Sequence, residues 1–364
     1  MQVHSNSGSI ICTARAAARP RAGPGRSSAG MLLPLALPLL GATALGGTHG
    51  HVKYLSFYDY NAAEQHSFCS IGLFTHLQGN TLQSNSSLLS AWEKYGFPSV
   101  LDVEDLGGGF NDGLYSRGGF NRTHLNPRWK SLIDGVLASA LPHIGKTKAI
   151  RGIFLGDEPC CGGLPAAELD ELATHVKTKL VGTGAFIYVN ECSSPFVGIS
   201  PGHDGCPVGS DFCPFSGLMG AKIPSALDFI SVDMYKSNNG TEPAIVRQFY
   251  EESVYPKLAA HQSTWVVPGT FAQPAPYVSL AESSKVMLEK INGYWSWAQN
   301  DTRVVGINPW HWETWGSMQK GDDIYKLGAH DFPAVRARLQ EIGAIVKKNY
   351  LGGGYGGLGK RPPQ

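Results

Sequence analysis

Two features of the 364-residue sequence predict an α/β fold, specifically a single parallel (β/α)8 barrel of the TIM type over residues 51–350. Past residue 51, eight apolar runs of strand length alternate with segments whose apolar residues recur three and four positions apart, the pattern of amphipathic helices. Acidic and amide side chains follow several of these runs, at the edge where parallel barrels carry their loops. A doubly wound open sheet is the alternative, but no Gly-x-Gly-x-x-Gly motif follows the first run.

The predicted strands are short and apolar, with glycine, proline or polar residues at their ends. In chain order they cover residues 52–58, 72–77, 99–103, 150–155, 185–190, 227–234, 264–268 and 304–308. The predicted helices lie between most of them, at residues 82–95, 127–141, 165–180, 242–260, 280–299 and 333–349. Pro127, Pro165 and Pro333 each stand where a helix can begin, because the first turn has no intrahelical partner for a backbone N–H.

Both ends of the sequence are predicted to lie outside the barrel. Residues 1–50 read as an N-terminal leader: residues 13–30 are rich in arginine without any acid, residues 31–40 are apolar, and Ala42-Thr43-Ala44 fits a small-residue cleavage site. This order is typical of a secretory signal peptide that is removed, and an organelle transit peptide is the alternative. Residues 351–364 are a glycine-rich tail that we expect to be disordered.

Cysteine usage and glycosylation motifs favour a protein that is secreted or lies in the lumen of the secretory or lysosomal pathway. Six of the seven cysteines follow the leader, an even number that suggests up to three disulfides. The long irregular segment 193–221 holds Cys206 and Cys213, and we expect a lid tied to Cys192 or to the Cys160-Cys161 loop. N-glycosylation motifs occur at Asn85, Asn121, Asn239 and Asn300.

Composition and motifs exclude several classes of function. A formal net charge of +1 provides no field for a nucleic acid or an anionic membrane, and the apolar run 31–40 is too short for stable membrane insertion. The first predicted strand lacks the His-x-His pair expected of a metal-dependent barrel hydrolase, and the sequence has neither a phosphate-binding glycine loop nor a Gly-x-Ser-x-Gly motif. The sequence therefore predicts no cofactor and no metal ion, and it leaves the oligomeric state open.

The fourth predicted strand ends in the motif Gly156-Asp-Glu-Pro159, which places two adjacent carboxylates at the exit of a buried strand. Side chains of a strand alternate between its two faces. Ile153 and Leu155 suit the face covered by helices, so Glu158 is expected to face the mouth of the barrel. Asp157 is expected to contact the same ligand from the loop, and capping of the following helix is its alternative role.

Other predicted strands also end in polar or aromatic side chains that are candidates for the same mouth. They are Glu104 after the third strand, Asn190 at the end of the fifth, Asp233 and Tyr235 at the end of the sixth, and Trp310, Trp312 and Glu313 after the eighth. The carboxyl ends of parallel barrel strands meet on one face, where barrel enzymes keep their active sites. The two tryptophans suit either a platform for sugar rings or a plug in the top of the barrel.

Opposed carboxylates beside aromatic rings favour glycoside hydrolysis, in which a protonated carboxyl group donates to the leaving oxygen. Residues 52–350 resemble the catalytic barrels of glycoside hydrolases, and Gly156-Asp-Glu-Pro159 resembles the Asp-Glu pair of the substrate-assisted β-N-acetylhexosaminidase-type families. This resemblance implies that Glu158 is the general acid/base and that Asp157 orients an acetamido group of the substrate, which acts as the nucleophile. It also implies a contact between Tyr235 and the acetamido oxygen.

The sequence departs from the retaining glycosidases that place their nucleophilic glutamate after the seventh strand. Residues 266–273 there read Val-Val-Pro-Gly-Thr-Phe-Ala-Gln and contain no acid. Asp233 or Glu313 would have to replace that glutamate, and Asp233 is predicted to be the second catalytic group. Tyr235, Asn190, Trp310, Trp312, Glu313 and Glu104 are predicted to bind the carbohydrate substrate. The alternative function is a lectin-like barrel that binds glycans without cleaving them.

Overall fold

The computed structural model describes ten segments of the chain: residues 49–57, 98–104, 114–115, 124–147, 149–197, 222–235, 240–272, 279–310, 312 and 327–352. The chain divides into one unit of residues 1–47 and a second of residues 48–364, and every described residue belongs to the second unit. Four predicted features lie outside the described residues: residues 1–48 of the leader, the strand 72–77, the helix 82–95 and the candidate Glu313. The last two leader residues belong to a described 3-10 turn, His49–His51.

Seven strands form one curled parallel sheet. Their bounds are β1 Tyr54–Leu55, β2 Ser99–Asp102, β3 Ile150–Asp157, β4 Phe186–Cys192, β5 Phe229–Asp233, β6 Ser263–Val266 and β7 Val304–Ile307. Each coincides with one of the predicted strands, so β3, which carries the two adjacent carboxylates, is the fourth predicted strand. The parallel α/β class predicted from the sequence is confirmed.

The order of strands in the sheet is β1-β7-β6-β5-β4-β3-β2. The first strand therefore pairs in parallel with the last, with Tyr54 opposite Gly306 and Leu55 opposite Ile307. This monotonic order is typical of a barrel, whereas a doubly wound sheet reverses its order at a switch point. The predicted strand 72–77 would join the two edge strands β1 and β2, and closure of an eight-stranded barrel remains a prediction.

Helices follow most of the strands and cover the outside of the sheet. The longer ones are α1 Trp129–Gly145, α2 Ala166–Lys179, α4 Glu242–Phe249, α5 Leu280–Asn300 and α6 Pro333–Gly352, and α3 is a single turn, Ser194–Val197. Helix α4 continues through a π-helical turn, Tyr250–Val254, and a 3-10 turn, Tyr255–Lys257. All the predicted helices within the described residues are confirmed, although α6 ends at Gly352 and so includes two residues predicted to belong to the tail.

The sheet separates two apolar cores, as expected when alternate side chains face opposite sides of a strand. The outer core lies between sheet and helices and includes Ile153, Leu155 and Val189. The inner core is mostly aromatic and consists of Val100, Phe154, Phe186, Tyr188 and Trp265. The apolar side chains of the inner core fill much of the space enclosed by the curled sheet.

Trp265 is the centre of the inner core. Its ring stacks on Tyr188 at a centroid distance of 4.7 Å and on Tyr54 at 5.3 Å, with interplanar angles of 25° and 22°. A ring of this size buries 150–250 Å² of largely apolar surface, roughly, and such offset stacks add to that stabilisation. The aromatic side chains of the inner core pack beneath the polar residues at the carboxyl ends of the strands.

A search of the described helices for a membrane-spanning segment found none with the necessary length and apolar character.

Candidate active site

Strand β3 gains one residue relative to β4 immediately before its end. Phe154 lies opposite Tyr188, and the next pair is Asp157 opposite Asn190, so three steps along β3 match two along β4. Such an extra residue breaks the alternation of side chains between the two faces. Simple alternation predicts only Glu158 on the inner face, whereas the extra residue brings Asp157 into register with the inner-face Asn190.

Two side chains from neighbouring segments hold this irregular strand end. The Tyr115 hydroxyl donates to the Leu155 carbonyl at 2.7 Å, and Glu104 Oε2 accepts from the Asp157 amide at 2.7 Å. These bonds satisfy two backbone groups of the irregular segment. Gly156 has φ +149°, and a Cβ there would lie 3.0 Å from the Tyr115 hydroxyl and 3.1 Å from Glu104 Oε2. A glycine is therefore required for the close approach of both groups.

Glu158 is the only non-glycine residue with positive φ in the described part of the chain, at φ +51°. This left-handed conformation costs a side-chain-bearing residue about 1–2 kcal/mol and occurs preferentially at functional sites. The backbone is held on both sides, because the Glu158 amide donates to the Asn190 carbonyl at 2.8 Å and its carbonyl accepts from Gly162 at 2.8 Å. The fold therefore imposes the backbone conformation that sets the direction of the Glu158 side chain.

Asp233, at the end of β5, lies beside Glu158. Burial, followed by the negative charges of Glu158 and Asp157, raises the pKa of Asp233 well above its ordinary value. Asp233 Oδ1 is enclosed and has no hydrogen-bond partner in the described residues. The pair therefore retains a proton at a pH where two isolated carboxyl groups would be ionised.

Asp157 is oriented by the amide of Asn190, whose Nδ2 donates to Asp157 Oδ1 at 2.9 Å. Together with the contact from Glu104, this fixes both the backbone and the carboxylate of Asp157. The structure thus brings together Glu104, Asp157, Glu158, Asn190 and Asp233, five of the residues predicted from the sequence to form a site.

Glu191 follows Asn190 but lies on the other side of the strand and is fully buried. Its two carboxylate oxygens accept from the amides of Cys160 and Cys161 at 2.9 and 3.1 Å. Burial raises the pKa of Glu191 to about 8, partly offset by these two hydrogen bonds. Glu191 therefore holds the loop that follows Glu158.

The same loop is bonded covalently to the end of β4 by a disulfide between Cys161 and Cys192, with a Cα–Cα distance of 5.8 Å. This corrects the prediction that Cys192 or the Cys160-Cys161 loop pairs with a cysteine of the segment 193–221, since Cys192 and Cys161 bond to each other and Cys160 is a buried free thiol. Cys206 and Cys213 lie outside the described residues. The disulfide closes a 31-residue separation beside Glu158.

The two disulfide sulfurs and a Glu158 oxygen all lie within 4.8 Å of one another. Metal ions bind thiolates, and neither sulfur of a disulfide is a thiolate. This group of atoms is therefore not a metal centre in the disulfide-bonded protein.

Three aromatic side chains form a cluster at the ends of β5, β6 and β7. The Tyr235 and Trp310 rings stack at 5.2 Å with an interplanar angle of 24°, and Phe271 contacts both edge-on, at 5.5 and 4.8 Å. All three are half-buried. Burial and the neighbouring Asp233 raise the pKa of Tyr235 well above its ordinary value, so its hydroxyl is neutral.

Trp312 differs from Trp310 in its environment. It is 1% exposed, belongs to the outer core, and contacts Phe57 and His330 at ring distances of 4.7 and 6.2 Å. Of the two roles considered for the tryptophans, a plug fits the burial of Trp312 and a platform fits Trp310. Tyr115 and Phe271 were not predicted from the sequence, because both lie away from the predicted strand ends.

Comparisons with protein-family models and with curated proteins find no match. Solved structures do match in fold. The glycoside hydrolase family 17 β-1,3-glucanosyltransferase from Rhizomucor miehei is 11% identical with a TM-score of 0.50, covering 76% of this chain and 93% of that one. The β-glucuronidase from Lactobacillus rhamnosus is 10% identical with a TM-score of 0.50, covering 80% and 49%. A β-glucuronidase from an uncultured Clostridium sp. is 9% identical with a TM-score of 0.48, covering 79% and 50%.

The chain spans about half the length of the β-glucuronidases that it matches. The fold is TIM-barrel-like. These identities are too low to carry over a substrate or a catalytic residue, so the comparisons establish a fold that is shared with glycoside hydrolases and nothing finer.

Proposed function

We propose that this protein is a glycoside hydrolase that cleaves a carbohydrate at the carboxyl ends of the strands, with Glu158 as general acid/base. The observation that carries the proposal is the juxtaposition of Glu158, held by the fold in a left-handed backbone conformation, with Asp233, whose pKa is raised. A proton retained on such a pair is available to a leaving glycosidic oxygen, which the general acid of such enzymes must protonate. The fold shared with glycoside hydrolases agrees with this assignment.

Asp233 has a supporting role in the proposal. Its raised pKa keeps a proton on this carboxyl group beside Glu158, whereas a nucleophile must be an ionised carboxylate. Residues 266–273, which follow the seventh predicted strand, contain no acid that could serve as the nucleophile instead.

The nucleophile is then supplied by the substrate, which is the mechanism implied by the resemblance to the β-N-acetylhexosaminidase-type families. Asp157, oriented by Asn190, accepts the N–H of an acetamido group. Tyr235, whose hydroxyl is neutral, donates to the acetamido oxygen. The carbonyl oxygen of that group attacks the anomeric carbon while Glu158 protonates the leaving oxygen, and water then opens the cyclic intermediate with Glu158 as base.

The remaining candidates have supporting roles in this proposal. Trp310, stacked on Tyr235, provides an aromatic face for a sugar ring. Glu104 acts through the backbone of Asp157, and Trp312 packs the top of the barrel. Glu313 remains a prediction from the sequence, because it lies outside the described residues. We also propose that the protein is secreted or luminal, which agrees with the disulfide beside the site.

The test is hydrolysis of aryl β-glycosides, including the N-acetylglucosaminide, by the wild type, Glu158→Gln and Glu171→Gln. Glu171 lies in a surface ion pair with Lys130 and serves as the matched control. We expect turnover by the wild type and the control and loss of turnover in Glu158→Gln. A thiazoline inhibitor, which mimics the cyclic intermediate, is expected to block the active enzyme. Glycan binding without hydrolysis by the wild type would favour the lectin-like function instead.

A further inference from the structure

We infer that Ser231 is a positioning residue, which fixes Asp157 through the side-chain amide of Asn190. The inference rests on the proposed function for its catalytic consequence, but its structural part does not. It comes from a series of hydrogen-bonded polar side chains on β3, β4 and β5 and directly after β7. The buried members are Asn308, Tyr188, Ser231 and Asn190, and the series ends at the half-buried Asp157.

The hydrogen bonds of this series connect neighbouring strands. Asn308 Nδ2 donates to the Tyr188 hydroxyl at 3.4 Å, and the Tyr188 and Ser231 hydroxyls are 2.6 Å apart. The Ser231 hydroxyl donates to Asn190 Oδ1 at 2.5 Å, and Asn190 Nδ2 donates to Asp157 Oδ1 at 2.9 Å. The series therefore ends on one of the two adjacent carboxylates of the motif Gly156-Asp-Glu-Pro159.

The direction of the hydrogen bonds is fixed at Asp157, because a carboxylate oxygen only accepts. Asn190 therefore presents its NH2 group to Asp157 and its Oδ1 to Ser231. Ser231 uses its one hydroxyl proton on Asn190 Oδ1, so Tyr188 donates the bond between the Tyr188 and Ser231 hydroxyls. Ser231 thus supplies the donor that holds the amide of Asn190 in the orientation that Asp157 requires.

Water cannot substitute for the hydrogen bonds of Ser231, because the side chains that make them are buried. Ser231 is fully buried, and Tyr188, Asn190 and Asn308 are each 1% exposed. A buried amide that loses its partner either stays unsatisfied or rotates to find another. Loss of the Ser231 hydroxyl therefore frees the amide of Asn190, and Asp157 loses the bond that sets the rotation of its carboxylate.

The catalytic consequence concerns how Asp157 meets the substrate. One carboxylate oxygen is occupied by Asn190, so the second oxygen is the one left to accept from an acetamido N–H. Small errors in such an orientation reduce the rate without preventing binding, because the attacking group is no longer aligned. We therefore expect Ser231 to affect kcat more than KM.

The first measurement needs no substrate. Side-chain NH2 signals of asparagine-labelled protein are recorded for the wild type, Ser231→Ala and Thr264→Val, with Asn190→Asp used to assign the Asn190 pair. Thr264 is a fully buried hydroxyl on β6 that donates to a backbone carbonyl, so its loss is a matched control. We expect faster solvent exchange and a changed shift for Asn190 in Ser231→Ala and no change in Thr264→Val. An unchanged Asn190 signal in Ser231→Ala would overturn the inference.

The second measurement is the steady-state kinetics of the same variants on the aryl N-acetyl-β-glucosaminide. We expect kcat to fall about 10- to 100-fold in Ser231→Ala with a smaller change in KM, and Ser231→Thr to recover most of the loss. Tyr188→Phe keeps the Ser231 donor and should lose far less than Ser231→Ala, which provides a second comparison if the added methyl group of threonine prevents folding. If Ser231→Ala changes the Asn190 signal but keeps the kcat of the wild type, the hydrogen bonds from Ser231 to Asp157 have a structural role and no catalytic one. A wild type without any turnover would refute the proposed function and leave the NMR result to decide the structural inference.

Discussion

The carboxyl groups of Glu158 and Asp233 lie beside each other although Glu158 follows β3, Asp233 ends β5, and β4 separates these two strands. The two groups meet because β3 contains an extra residue and Glu158 adopts a left-handed backbone conformation. The desolvation of Asp233 and the negative charge of the neighbouring Asp157 favour a retained proton on the pair. This relationship defines the pH dependence expected of the enzyme.

We expect Asp233→Asn to shift the basic limb of the kcat/KM profile toward lower pH. The wild-type pair keeps its proton because ionisation would place two negative charges together in a buried site. Asparagine removes one of those charges, so the proton that serves as general acid is lost at lower pH. The measurement is the pH profile of aryl glycoside hydrolysis from pH 4 to about 9. A basic limb at the same pH in both proteins would show that Asp233 does not hold this proton.

The buried Glu191 predicts a decrease of stability with rising pH. Its pKa in the folded protein is about 8, above the ordinary value of 4.5, so between these values the folded state binds a proton that the unfolded state has released. The stabilisation from this group is fully present below pH 4.5 and is lost as pH rises to about 8, on the order of 5 kcal/mol.

Glu191→Gln removes the titrating carboxyl group. We therefore expect the free energy of unfolding of this variant to vary less with pH than that of the wild type between pH 4.5 and about 8. Urea denaturation at pH 5, 7 and 9 measures the difference from the wild type. The matched control is Glu252→Gln, an exposed acid on the π-helical turn, which should keep the wild-type slope. Glutamine also lacks one of the two acceptors for the loop amides, so a constant loss of stability is expected beside the change of slope.

The Cys161–Cys192 disulfide predicts a stability that depends on reductant. Closing a 31-residue separation typically stabilises a fold by about 2–4 kcal/mol, chiefly by constraining the unfolded chain. Reduction should therefore lower the urea midpoint of the wild type and of Cys160→Ala, whose thiol is free. The midpoint of Cys161→Ala should be low from the start and unresponsive to reductant. A reductant-dependent midpoint in that variant would assign the effect to another cysteine.

Substitution of Gly156 by alanine is expected to reduce both stability and activity. Its φ of +149° is accessible mainly to glycine, and an added Cβ would press on the Tyr115 hydroxyl and on Glu104. We expect a loss of about 1–3 kcal/mol in the free energy of unfolding together with a lower kcat. Gly135→Ala is the control, because this exposed position in α1 has open space around it and should gain about 0.5–1 kcal/mol. Equal stabilities of Gly156→Ala and the wild type would show that the strand end can relax.

The two tryptophans after β7 are expected to differ in their effects. Trp310→Ala removes a half-buried face stacked on Tyr235, and we expect a rise in KM of about 3- to 10-fold with little loss of stability. Trp312→Ala leaves a cavity in the outer core, and we expect a loss of about 3–5 kcal/mol in the free energy of unfolding. Thermal unfolding and substrate titration of both variants separate the two roles. The reverse pattern would assign sugar binding to Trp312 and core packing to Trp310.

Much of the site was predictable from local sequence, because strand ends in a parallel sheet meet on one face. The sequence places four candidate residues at such ends, and the structure brings them together: Asp157, Glu158, Asn190 and Asp233. The pairing of Cys161 with Cys192 was not predictable, because spacing alone leaves fifteen connectivities among six cysteines. Phe271 was equally inaccessible, since a single phenylalanine outside a periodic segment gives no signal of its neighbours.

The sequence by itself determined the parallel α/β class, the seven described strands and the helices between them, because hydrophobic periodicity is a local property. It also placed two carboxylates at the end of β3. Only the tertiary structure decided how those carboxylates are used. The extra residue in β3 turns Asp157 toward Asn190 and Glu158 toward Asp233, and it depends on contacts from Glu104 and Tyr115 that lie far away in the chain. Such a shift is decided by nonlocal hydrogen bonds, which alternation along one strand cannot reveal.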